Sequence, residues 1–322
     1  MAANLDNDRL PADFPSPPSW ADRLHPENLT IFLFHGVVEQ SDYLVRNYNR
    51  KHLAAADFRA IMTALSERGS ALSMDEVIAH HKNQTPYPEY AFAVTFDDSF
   101  ENNLTVAAPI LRELGIPATL YATTGFISNN RMSWVDRIEW AFEEKCRFDK
   151  AVEPDLPWQD TPVRAETAEE MRALLSDIRT KVKSGLISDP DAFATEIQVQ
   201  LGLSETWTTP DPLDKKLTWD QIRELHDDPL FIIGGHSHSH AILSYLDESA
   251  LANELDTSLR LLKDNTGIDP VHYAYPEGLP DTFSQGVIEA LKDRGIVCCP
   301  TAISGYNTPE TDLFHLKRFL VM

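Results

Sequence analysis

A chain of 322 residues is long enough for one large α/β domain, and a composition 43% hydrophobic and 24% charged is that of a globular protein, not a disordered or fibrous one. Its 28 Lys and Arg stand against 50 Asp and Glu, a net charge of −22, which argues against nonspecific binding to nucleic acid or anionic lipid. Cys146, Cys298 and Cys299 are an odd count with two adjacent in an apolar segment, so no disulfide framework is expected and they read as buried, reduced thiols.

The opening MAANLDNDRLPADFPSPPSW lacks a cationic start followed by an apolar stretch, and no later run approaches a membrane span. A cytoplasmic protein without a span is the expectation. From there, short apolar runs alternate with longer stretches of helical periodicity, the pattern of βα units around a parallel sheet. Strands are predicted at Thr30 to His35, Ala91 to Asp97, Ala118 to Ala122, Leu230 to Gly235, Val271 to Pro276 and Gly295 to Cys299. Ser73 with Glu76, Thr218 with Gln221 and Thr282 with Gln285 fit capping boxes, and Gly69, Gly115 and Gly295 fit helix stops. Phe58, Ile61, Met62 and Leu65 form one apolar helical stripe; Leu251, Leu255, Leu259 and Leu262 form another. Between Arg131 and Lys216 the alternation lapses: a helix around Trp134 to Lys145, then Pro154, Pro157 and Pro162, then two more helical stretches. The expected organisation is one domain over 1–322, with 131–216 a helical insertion that could serve as a lid or an oligomer contact.

Three segments carry side chains suited to chemistry. In AVTFDDSF an apolar strand ends in Asp97 and Asp98, two acids that need compensation if buried. Either Asp98 caps a helix, with Glu101 three residues on, or the pair is catalytic. In FIIGGHSHSH a strand and two glycines deliver His236, His238 and His240. His236 and His240 are four apart, so one helical turn would put both imidazoles on one side, and an aspartate would complete a three-ligand site for Zn²⁺ with open positions. The alternative is a solvated His-rich turn. Ser237 and Ser239 are expected to orient the imidazoles. In VHYAYPEG a strand enters a turn with Tyr275, Pro276 and Gly278. All three segments fall at the C-terminal ends of predicted parallel strands, the edge where side chains converge in α/β folds.

Thr95 to Ser99, His236 to His240 and Ala274 to Gly278 together resemble the motifs of the polysaccharide deacetylase, or NodB-homology, family of metal-dependent carbohydrate esterases. LGIPATLYATTGFI, LTWDQIRELHDD and the closing GYN and FHLKRF are also similar to its flanking segments. The resemblance implies a distorted (β/α) barrel with fewer than eight complete units, and hydrolytic removal of an acyl group, usually N-acetyl, from an amino sugar. It makes Asp97 the general base, Asp98, His236 and His240 the ligands of one divalent metal, expected to be Zn²⁺, and Tyr275, Pro276 and Glu277 the substrate contacts. The sequence departs from the pattern in three places. Ser99 replaces a glycine, which a negative φ would tolerate; Val271 and His272 stand where an arginine often orients the base; and Glu277 is unusual. Arg318 is the expected substitute for that arginine.

The resemblance also extends to circularly permuted relatives that carry the acid motif first. IFLFHGVV is similar to that motif, which makes His35 the acid for the departing amine. His315, the histidine near the C-terminus, would sit at the wrong end of its strand. The expected substrate is an acylated amino sugar, for instance an intracellular intermediate of surface polysaccharide synthesis. Alternatives on the same fold are a catalytically silent sugar-binding or assembly protein, or deformylation or O-deacetylation by the same residues.

Overall fold

The computed structural model describes residues 16–39 and 42–322. The opening residues 1–15, read above for a leader, lie outside the described residues. Two compact units are present: one comprises 16–39, 52–130 and 216–322, the other 42–51 and 131–215.

The first unit is built on a parallel sheet. Its strands are β1 (Thr30–Phe34), β2 (Gly36–Val38), β3 (His52–Ala54), β4 (Ser70–Ala71), β5 (Ala91–Phe96), β6 (Ala118–Ala122), β7 (Phe231–Gly235) and β8 (Phe319–Leu320). The main sheet runs β7-β6-β5-β1-β8 with β4 on β5, while β2 and β3 pair separately, and every pairing is parallel. β1, β5 and β6 are buried along their whole length, which is why they read as mainly apolar runs, each with one buried threonine. Four of the six predicted strands are present within one residue of the expected ends. The other two are reduced to bridges, Gly235 with Tyr273 and His272 with Cys298. Backbone bonds nonetheless carry the wall onward: Val297 N donates to Val271 O, Cys299 N to Leu313 O, Thr301 N to Leu316 O and Arg318 N to Ile303 O. These irregular bonds link β7 around to the segment that becomes β8.

The helices follow their local signals with one correction. Ser73 and Thr218 form capping boxes with Glu76 and Gln221. Thr282 does not cap the helix Gln285–Lys292: Ser284 accepts from Val287 N instead, and the Thr282 hydroxyl donates to Leu279 O. The stripe Phe58, Ile61, Met62 and Leu65 is buried on the helix Ala55–Arg68; Leu255 and Leu262 are buried on Glu248–Thr266, with Leu251 and Leu259 packed at the margin. Gly115 ends its helix with φ +64°. Cys298 and Cys299 are buried free thiols, and burial pushes both upward in pKa.

The second unit holds three helices, Trp134–Cys146, Ala168–Lys181 and Pro190–Gln200, around Phe142, Met171, Leu175, Ile178 and Ile197. The segment 42–51 belongs to it through polar contacts. Glu143 accepts the backbone N–H groups of Leu44, Val45 and Arg46, Glu139 accepts that of Asn47, and the Arg46 guanidinium pairs with buried Asp214. Hydrophobic periodicity contains no trace of such contacts. Among the described residues, no helix is long and apolar enough to cross a membrane.

Candidate functional site

β1, β5 and β7 lie in one parallel sheet, so the residues just past their C-terminal ends share an edge. Asp97 and Asp98 follow β5, His236 follows β7 and His35 follows β1; Asp97 N donates to Phe34 O at 3.0 Å, tying two of these ends together. Asp98 and Ser99 take φ of +72° and +60°. Asp98 is therefore a turn residue and not a helix cap, and Ser99 occupies the glycine-favouring region instead of the negative φ expected of it. Its hydroxyl has a use there, accepting from Thr123 N at 3.1 Å.

The turn brings Asp98, His236 and His240 together: their donor atoms lie within 4.8 Å of one another, with His240 Nε2 at 3.2 Å and His236 Nε2 at 3.7 Å from Asp98 Oδ1. His236 Nδ1 is 2.9 Å from Ala274 O. A carbonyl can only accept, so Nδ1 carries the proton and Nε2 presents its lone pair toward Asp98. Burial lowers the His236 pKa, which keeps the ring neutral and available as a ligand. Two imidazoles and a carboxylate fit a divalent cation of the Zn²⁺ type.

Contrary to expectation, no helical turn makes this pair. Ser237 and His240 have φ of +63°, and the segment is an irregular loop whose backbone groups are bonded one by one. His236 N donates to Ala122 O, Ser237 N to the Tyr273 hydroxyl, His238 N and Ser239 N to Glu254, and His240 N to the Ser237 hydroxyl. Thr124 N and Gly125 N donate to the carbonyls of Ser237 and His238. A Cβ on Gly125 would stand 2.5 Å from His238 O, so glycine is required for that approach. Ser237 and Ser239 thus brace the loop and bond to no imidazole. His238 points aside, with Nδ1 2.9 Å from the Thr124 hydroxyl.

Asp97 lies beside the cluster, Oδ2 3.8 Å from His236 Nε2. The fully buried Arg318 holds it bidentately, with both N–H···O distances 2.9 Å; Arg318 Nε also donates to Thr301 O and Nη1 to the Thr95 hydroxyl. Burial alone would raise the Asp97 pKa, but Arg318, His236 and His35 outweigh it and hold the carboxyl below its usual range. His35 is half-buried at the end of β1, and the side-chain amide of Asn103 donates to its carbonyl. His315 is exposed and pairs with Asp312.

The turn from Tyr275 to Gly278 differs from its expected role. Tyr275 is fully buried, its ring stacked on Phe283 and its hydroxyl donating to Phe314 O, and Pro276 is buried too. A core side chain of this kind offers no surface to a sugar. Glu277, half-buried with φ +62°, is the accessible member of the three. Glu254, Asn103 and Gly125 were not visible as site residues in the sequence. A lone Glu on an amphipathic helix or an Asn after a strand has no distinguishing local pattern.

The family model described as polysaccharide deacetylase matches residues 84–298, well over half of the chain; His35 and Arg318 fall outside the match. Solved structures share the fold at low identity. The Streptococcus pyogenes deacetylase PplD, in complex with acetate, is 14% identical with a TM-score of 0.57, covering 92% of this chain and 93% of that one. IcaB from Ammonifex degensii is 16% identical with a TM-score of 0.56 over 92% and 93%. A de-N-acetylase from Aggregatibacter actinomycetemcomitans is 15% identical with a TM-score of 0.55 over 92% and 95%. No curated protein sequence matches the chain.

Proposed function

The chain belongs to the polysaccharide deacetylase family, and from that premise we propose that it is a metal-dependent hydrolase that removes the N-acetyl group of an amino sugar. The observation that carries the reading is a carboxylate clamped by a buried guanidinium, Asp97 on Arg318, directly beside the donor cluster of Asp98, His236 and His240. A divalent cation held by those three side chains would supply Lewis acidity toward the acyl oxygen and lower the pKa of water. Asp97, kept ionised, takes the proton of the attacking water. Arg318 fixes the carboxylate plane so that its lone pairs keep one direction. His35, at the neighbouring strand end, holds a proton for the departing amine. The acetate bound by the streptococcal protein of similar fold is the acid such a reaction releases.

The test is incubation of the metal-loaded chain with N-acetylglucosamine oligomers and nucleotide-linked N-acetylamino sugars, reading acetate release and loss of acetyl mass. Formylated and O-acetylated analogues in the same panel decide between the bond types. Asp97→Asn should retain the metal and lose turnover by about 10²- to 10⁴-fold, the usual contribution of a general base. His35→Ala should lower turnover while sparing metal binding. A metal-loaded chain that releases acetate from none of these substrates refutes the reading.

A further inference from the structure

The loop that carries His236 and His240 is bonded by a side chain from the helix that follows it, Glu248–Thr266. Glu254 lies on Glu248–Thr266 among the buried leucines of its inner face, and is itself 8% exposed. Its Oε1 accepts from His238 N at 2.8 Å, Ser239 N at 2.5 Å and the Ser239 hydroxyl at 2.9 Å. One turn further along, buried Ser258 receives the Tyr273 hydroxyl, which accepts from Ser237 N. Gly235 makes room for that tyrosine, since a Cβ there would stand 2.4 Å from its ring. One helix face thus secures three consecutive N–H groups between the two histidines. Such donors would otherwise turn to water or to other acceptors, and the two positive-φ residues of the loop would lose their reason to stay strained.

We propose that Glu254 is a positioning residue that holds the His236–His240 loop in its metal-capturing shape. The inference rests on the reading of Asp98, His236 and His240 as metal ligands. Partners that orient ligands typically change metal affinity about 10- to 100-fold when removed. A carboxylate on the inner face of a 19-residue helix is well suited to the task, because Leu255 and Leu262 on the same face anchor it in the core.

The experiment titrates the full-length chain with Co²⁺, reading the ligand-field absorption band and the dissociation constant, with thermal unfolding of each metal-free variant alongside. Glu254→Ala should weaken Co²⁺ binding by about 10- to 100-fold and shift the band. Glu254→Asp, which keeps the charge but withdraws it by one methylene, should weaken binding in the same direction and decides the matter if the alanine variant does not fold. Glu254→Gln, which keeps an acceptor oxygen at the same reach, should restore most of the affinity. Asp256→Ala, which breaks an exposed ion pair with Arg294 on the same helix, should bind Co²⁺ as the wild type does. Unchanged affinity and band in the Ala or Asp variant overturns the proposal, as does an equal loss in Asp256→Ala. A wild-type chain that binds no Co²⁺ removes the metal reading itself, and the proposal with it.

Discussion

Asp97 and Arg318 show what a single pair contributes when both partners are out of water. The guanidinium is wholly buried and the carboxylate nearly so, and the two bonds between them join residues 221 apart in the chain. Removing one member strands the other, at a cost of about 3–5 kcal/mol for a buried pair. Arg318→Met should therefore lower the denaturation midpoint in urea substantially. Adding Asp97→Asn to it should recover part of the loss, because the remaining group is then neutral. Strictly additive losses in the double variant would show that the pair is not coupled. Ser99 makes a smaller point at the same scale. Where glycine would lie unstrained at φ +60°, this chain accepts the strain and gains a hydroxyl bond to Thr123 N.

Helix caps and the 42–51 segment offer tests at the scale of the element. Ser284, not Thr282, bonds the first turn of Gln285–Lys292, so Ser284→Ala should destabilise by about 1 kcal/mol and more than Thr282→Ala does. Thermal unfolding of the two variants side by side checks the order. In the helical unit, burial works to raise the Glu143 pKa, but the N–H groups of Val45, Arg46 and Leu44, with Arg147, outweigh it and hold the value below the ordinary range. The folded state then binds fewer protons than the unfolded chain. The contribution is full above the ordinary glutamate pKa of about 4.3 and is lost as the pH falls through the lower folded value. Protection of the Val45 and Arg46 amides, read as exchange relative to the intrinsic rate at each pH, should fall on acidification through that window. In Glu143→Ala, which leaves no acceptor, it should be low already at neutral pH.

For the whole molecule, the consequential feature is that the three proposed ligands come from the ends of β5 and β7, with β6 between them. A cation bound there would cross-link two strands that do not pair directly, and it would find no such cluster in the unfolded chain. At 100 times the dissociation constant, binding to the folded state alone adds about 2.7 kcal/mol of stability. Saturating Zn²⁺ should therefore raise the melting temperature of the wild type, and chelation should reverse it. His236→Ala should show neither change, and an equal rise in that variant would place the metal elsewhere.

The strands β1, β5, β6 and β7, two of the three proposed capping boxes and the order of the motifs along the chain were determined by the sequence alone. Each is local: a parallel strand buried on both faces is mainly apolar, and a cap is a relation between residues three apart. The approach of Asp98 to the two histidines could be anticipated because each group follows such a strand, and parallel strands bring their ends to one edge. Tertiary structure decided the rest. It set the positive φ at Asp98, Ser99, Ser237 and His240, which replaced the expected cap and helical turn by irregular loops. It also buried Tyr275, reduced two strands to bridges, and brought Glu254 and Glu143 onto backbone N–H groups far from them in sequence. The physical reason is that periodicity records only whether a side chain meets water. Which distant donor a buried carboxylate meets depends on which elements become neighbours, and no local pattern contains that.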